Sequence, residues 1–129
     1  MRNFFRSRLA SFRPALEGFR YVWHTQPNAK IHAVISLVVI AAGLWMHLDF
    51  GSWALIVLAM TMVWLSEFAN TAIEVVVDLV SPDHHSLAKV AKDVSAAFVV
   101  IAALAAVMIG ILVLGPPLWV RAAEFFSSK

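Results

Sequence analysis

Cysteine is absent from the 129 residues, which excludes a disulfide framework and any thiolate metal site. Charge is scarce as well. Only 14% of the residues are Asp, Glu, Lys or Arg, whereas about a quarter is usual in a soluble domain. No Gly-rich or low-complexity stretch interrupts the chain, so a single domain over 1–129 is expected. No GxxxxGK loop followed by serine or threonine occurs, so a nucleotide site of the P-loop type is excluded. Zinc lacks both cysteines and an i, i+4 histidine pair. A net charge of +2 is small, and no nucleic-acid partner is expected from it.

What is present is apolar. Hydrophobic residues make up 61% of the chain and the mean hydropathy is +0.81. Membrane spans are expected at about 31–48, 53–80 and 94–114, the last closed by Gly115-Pro116-Pro117. Roughly 20 apolar residues cross a hydrocarbon core of about 30 Å, which makes the first span short, the third ample and the second overlong. No apolar h-region precedes residue 31, so the first stretch does not read as a signal peptide.

Orientation is read from Lys and Arg. Arg2, Arg6, Arg8, Arg13, Arg20 and Lys30 precede the first span, and Lys89 and Lys92 stand between the second and third. The turn "HLDFGS" carries neither. Positive segments stay inside, so the N-terminus and the 79–93 loop are expected to face the cytoplasm and the tail with Arg121 and Lys129 the outside. Within 1–28, Phe5, Leu9, Phe12, Leu16, Phe19 and Trp23 step by four and three. At 100° per residue they stay within about 40° of one line. With flanking arginines this predicts an amphipathic helix on the inner membrane surface, kinked or split at Pro14.

The second span then changes character. Glu67, Asn70, Thr71, Glu74 and Asp78 recur at helical spacing, at about 0°, −60°, 40°, −20° and 20° around the axis. They share one face. If the helix enters from outside near Trp53, Glu67 lies about 21 Å in and Asp78 about 16 Å further, at 1.5 Å per residue. A charge near the bilayer centre costs at least about 2.5 kcal/mol, so such residues are functional by default. Asn70 and Thr71 alone would suit interhelical hydrogen bonding. Carboxylates on one stripe repel unless a cation joins them, and hard oxygen ligands suit Mg²⁺. His84, His85, Lys89, Lys92 and Asp93 follow at the cytoplasmic mouth. Metal, lysine and a buried carboxylate base are the requirements of phosphoryl transfer, with the hydroxyl arriving from the lipid and the nucleotide from the cytosol. The alternative is an ion or proton channel or transporter, which also sets acids along one helix face but has no need of Lys92 and Asp93.

These residues carry a resemblance. "ExxNTAIExxxD" from Glu67 to Asp78, then "HxxAKxAKD" from His85 to Asp93, resembles the prokaryotic diacylglycerol kinase and undecaprenol kinase family, and "SFRPALEGFRYVWHTQPNAKIH" resembles its approach to the first span. The resemblance implies an all-α integral membrane homotrimer with a surface helix and three spans, in the bacterial inner membrane. It implies ATP-dependent phosphorylation of a lipid alcohol, undecaprenol ahead of diacylglycerol, with Mg²⁺. It further implies Glu67 as catalytic base with Asn70 beside it, Glu74 as metal ligand, and Asp78, His85, Lys92 and Asp93 at the nucleotide, Lys92 and Asp93 also serving catalysis. The enterobacterial diacylglycerol kinase has a second metal-binding glutamate where this chain has Gln26.

Labelling tests the orientation. A single cysteine replacing Ser52 is expected to react with an impermeant maleimide applied to intact cells, and one replacing Ser86 only after lysis. The reverse pattern would turn the open end of the acidic stripe away from the cytosol.

Overall fold

The computed structural model describes residues 2–83 and 85–127, with side chains described from residue 12 onward. Four helices follow in order: α1 (Arg2–Thr25), α2 (Pro27–Met46), α3 (Phe50–Val80) and α4 (Ser86–Ser127). No strand occurs among the described residues. The last three are each long and apolar enough to cross a membrane, so the chain is an all-α, multi-pass membrane protein. Lipid offers no partner to a backbone amide, and a helix meets that demand within one segment.

Helix ends depart from the sequence expectation for local reasons. α2 begins at Pro27, because a proline at the first helical position has its φ preset and gives up an N–H that had no helical partner. The surface helix therefore stops at Thr25, and Gln26 alone, in extended conformation, separates it from the first span. At the outer end His47 adopts φ 56°, and its N–H and that of Leu48 bond back to Leu44 and Gly43 carbonyls at 3.2 Å each. A Cβ on Gly43 would lie 2.9 Å from the Trp53 ring, so glycine lets α2 close on α3 there.

α4 differs most. Its start at Ser86 puts Lys89, Lys92 and Asp93 on its first turns, and the connecting loop shrinks to residues 81–85. It also runs through Pro116 and Pro117 to Ser127, where a stop at 114 was expected. Proline removes an N–H and crowds the carbonyl four residues back, but near the membrane surface water can satisfy the freed carbonyls. α1 likewise continues unbroken through Pro14. Arg121, beyond the two prolines, sits 4.8 Å over the Trp45 ring and 3.5 Å from His47 Nδ1. The tail thus meets the α2–α3 turn, at the end of the bundle away from Lys89 and Lys92.

α3 and α4 form the main packed pair. Ile56, Ala59 and Val63 on one and Ser95, Val99 and Ala102 on the other are buried, and small residues let membrane helices approach closely. α1 leans on α3 through Phe19, whose ring lies 5.8 Å from Trp64 and 5.5 Å from Phe68. Val22 is buried, while Phe12 and Leu16 of the apolar stripe stay exposed. The side chains of Arg2, Phe5, Arg6, Arg8 and Leu9, with His84 and Lys129, lie outside the described residues.

Asp49 caps α3. Its Oδ1 accepts from the N–H groups of Gly51 (2.8 Å) and Ser52 (3.1 Å), and its Oδ2 accepts from the Ser52 hydroxyl at 2.6 Å. The Ser52 hydroxyl and then the backbone N–H bonds hold this carboxyl below its ordinary range. A folded-state pKa below the unfolded one means that protonation favours unfolding. The cap's contribution is complete above about pH 4, the unfolded value, and is lost as pH falls through the lower folded value. Acidification from pH 6 to pH 3 is therefore expected to lower the Tm of the wild type more than that of Asp49→Ala, read by circular dichroism in detergent.

Candidate active site

The polar face of α3 does not act as one stripe. Its three acids stand in three different settings. Glu67 is fully buried, and its Oε2 lies 3.8 Å from Nε2 of His32 on α2. That separation exceeds the roughly 3.2 Å limit of an N–H···O bond, and neither Glu67 oxygen nor His32 Nε2 has a hydrogen-bond partner. A carboxylate so enclosed, on a helix that crosses lipid, has not been placed there by packing alone.

Two turns inward, Glu74 accepts two amide hydrogens. Asn70 Nδ2 donates to Oε1 at 2.9 Å, and Gln26 Nε2 donates to Oε2 at 3.1 Å. Gln26 occupies the N-cap position of α2, yet its side chain makes no capping bond. The reach of 48 residues to Glu74 is tertiary. Asn70 is held in turn by Ser95 on α4, whose Oγ stands 2.7 Å from Asn70 Oδ1 and 2.9 Å from the Lys92 carbonyl. Since its carbonyl side faces a hydroxyl, the amide must turn its NH₂ toward Glu74. Thr71 takes no part: its hydroxyl bonds back to the Glu67 carbonyl at 2.9 Å, as a helical threonine does by default.

A cleft of about 670 Å³ opens between the end of α3 and the start of α4, lined by Asp78, Asp83, His85, Lys89, Lys92 and Asp93 among others. Lys92 Nζ meets Asp78 Oδ1 at 2.6 Å, and Lys89 Nζ meets Asp93 Oδ2 at 2.7 Å. All four side chains are between 39% and 79% exposed, and pairs so exposed contribute about 0–1 kcal/mol. An incoming anion would therefore displace these carboxylates at little cost. His85 immediately precedes α4: its Nδ1 accepts from Leu87 N–H at 3.2 Å and its carbonyl from Lys89 N–H at 3.1 Å.

Every site residue expected from sequence thus falls on one inward path, from Glu67 through Asn70, Glu74 and Gln26 to Asp78, Lys92, Asp93 and His85. Sequence reasoning missed His32 and Ser95 as participants. Both were visible as isolated polar residues at the ends of apolar spans, and a polar group at membrane depth is a signal in itself.

Comparison with known proteins identifies the family. The sequence profile described as prokaryotic diacylglycerol kinase matches residues 13–114. The chain is 44% identical over 111 residues to a diacylglycerol kinase of Synechocystis sp., covering 85% of this chain and 63% of that protein. It is 35% identical over 110 residues to the undecaprenol kinase of Bacillus subtilis, covering 83% and 89%. A diacylglycerol kinase of Escherichia coli K12 is 30% identical over 92 residues, 71% and 75%. The helical architecture with three apolar helices long enough to span a membrane marks an integral membrane protein. The chain belongs to the prokaryotic diacylglycerol kinase family. It spans less than two thirds of the Synechocystis relative's length.

Ser95→Ala removes the hydroxyl and leaves the Asn70 carbonyl without a partner. The expected loss is on the order of 1 kcal/mol, between the ~0.6 kcal/mol average of bonds between membrane helices and the ~1–3 kcal/mol of an orphaned buried group. Denaturation in mixed micelles measures it, and an unchanged midpoint would mean that Asn70 finds another donor.

Proposed function

We propose that this chain is a lipid kinase, transferring the γ-phosphoryl group of ATP to a membrane lipid alcohol at the cytoplasmic face of the bacterial inner membrane. Undecaprenol is the favoured acceptor and diacylglycerol the second. One observation carries the reading: a carboxylate buried at membrane depth, with both oxygens free, heads a polar path that ends in a lysine-bearing cleft. The "NAKIH" approach to α2 supports this acceptor order, and relatives named for each of the two acceptors match the chain.

The chemistry follows from the order of groups along the path. The acceptor hydroxyl donates its hydrogen bond to Glu67, which takes the proton as the hydroxyl oxygen bonds to the γ-phosphorus. The bond from that phosphorus to the β–γ bridging oxygen breaks, and ADP leaves toward the cleft. Asn70 sits one turn from the base and fixes the Glu74 carboxylate. Lys92 and Lys89 exchange their carboxylate partners for phosphate oxygens. Asp78, Asp93 and His85 then border the nucleotide.

The donor set suits Mg²⁺, which binds one or two carboxylates and takes its remaining oxygens from nucleotide phosphates and water. Glu74 provides the carboxylate. Gln26 has its amide oxygen unengaged, so a half-turn of that amide presents a neutral oxygen beside Glu74. Among the described residues no three His, Asp or Glu side chains gather as a cage, as befits a metal that arrives with its nucleotide. Bound there, Mg²⁺ would neutralise charge on the phosphate oxygens.

Assembly as a homotrimer belongs to the same reading. Glu74 is only half-buried and most of each span's surface is uncovered, so neighbouring subunits would complete the walls of the site.

The test is direct. Purified protein supplied with labelled ATP is expected to label undecaprenol or diacylglycerol. Glu67→Gln preserves shape but not basicity, and is expected to cut turnover by about 10²–10⁴-fold with oligomer size unchanged. Retained turnover would transfer the base role, with Asp93 the next candidate.

A further inference from the structure

Three buried polar atoms converge without partners: His32 Nε2 and both carboxylate oxygens of Glu67. At 3.8 Å, Nε2 and Oε2 are too far apart for each other but well spaced for a third atom. An oxygen about 2.8 Å from each closes the triangle within ordinary hydrogen-bond lengths. The chemistry of that oxygen is restricted. In the tautomer that carries its proton on Nε2 the ring donates there and the carboxylate only accepts, so the group between them donates to one side and accepts from the other. A hydroxyl does both. An ether, ester or phosphate oxygen would leave the carboxylate unsatisfied, and an ammonium would leave the ring N–H so.

Hydrocarbon space adjoins this seat. An apolar cavity of about 210 Å³ has His32 in its wall and extends outward between the three spans, past Ile35, Val39, Ile56, Ala59 and Ala103. The small side chains of Ala59, Ala103, Ala106 and Gly110 leave this volume open. An apolar cavity of about 150 Å³ admits benzene, so this one holds roughly eight carbons, the width of one chain. Its only polar wall members are His32 and Ser36.

We infer that His32, together with Glu67, seats the hydroxyl of the lipid acceptor, and that the slot beside it receives the first carbons of a single chain, so that the pair selects a one-chain alcohol over a two-chain glycerolipid. This rests on the lipid kinase reading and adds to it a residue that touches the substrate and a basis for choice between acceptors. A glycerolipid would carry its second chain outside the slot, against lipid, and gain nothing from it.

Farnesol, its methyl ether and dioctanoylglycerol are suitable probes, with wild type, His32→Ala, His32→Gln and Ala103→Phe in nanodiscs. Without nucleotide, farnesol is expected to raise the wild-type thermal midpoint more than the ether does, because the ether cannot donate to Glu67. His32→Ala should abolish that difference and His32→Gln, which restores an N–H near the same point, should recover most of it. Equal shifts by alcohol and ether in the wild type would mean that a buried water alone fills the seat, and would overturn the inference. With ATP, His32→Ala should raise the KM for farnesol at least tenfold while the KM for ATP stays put. A fall in kcat with the farnesol KM unmoved would count against a seat. Ala103→Phe should erase the preference for farnesol over dioctanoylglycerol, and a preference that survives the filled slot overturns the slot's role. Absence of phosphoryl transfer to any alcohol, with the binding differences intact, would instead defeat the kinase reading and leave the seat standing.

Discussion

A carboxylate held in the hydrocarbon zone with no hydrogen bond is expensive, and the rest of this structure can be understood as the means of keeping one there. Glu67 is fully buried, with Nε2 of His32 on α2 3.8 Å from its Oε2. α3 and α4 pack closely beside it, with Ala59, Ala102 and Ser95 buried. Gly43, at the far end, lets α2 approach closely enough to form the third wall. Such an arrangement wastes stability unless a ligand makes the missing bonds, since each unsatisfied buried group costs about 1–3 kcal/mol.

Below Glu67 the logic reverses, and both Glu74 and Asp78 have partners. Gln26, Glu74, Asn70, Ser95 and the Lys92 carbonyl form a continuous hydrogen-bonded series crossing three helices. Such a series fixes the orientation of each member, because an amide pinned on one side has no freedom on the other. At the end that carries Lys89 and Lys92 the pairing becomes loose and exposed. Rigid binding groups near the reacting atoms and displaceable ones near the entrance is the distribution expected where a charged ligand must enter, be aligned and leave.

Repulsion among the acids, which from the sequence argued for a shared cation, is relieved differently. Glu67, Glu74 and Asp78 share a helix face but are separated into three environments by residues on other helices. No shared cation is therefore required to hold these acids side by side in the fold. The amide of Gln26 can bond to Glu74 when metal is away, whereas a glutamate at that position would face a like charge. Arg121 performs a related service at the opposite end, covering Trp45 and reaching His47.

Much of this was legible along the chain. The three spans, the α3 stripe from Glu67 to Asp78 and the mouth residues follow from periodicities and composition, which are local and depend only on helix geometry. Helix ends were less legible at Pro14 and Pro116-Pro117, because the proline rule describes a helix interior in the absence of compensating solvent or neighbours. Contacts between distant residues were not legible at all. Gln26 to Glu74 spans 48 positions and Asn70 to Ser95 spans 25, and nothing in either neighbourhood names its partner. Sequence by itself determined that a carboxylate row descends through a membrane helix toward a basic mouth. Only the tertiary structure decided that Glu67 would be the acid left unbonded, since that depends on how far the neighbouring helices stand from it: His32 Nε2, at 3.8 Å, is too far for a bond.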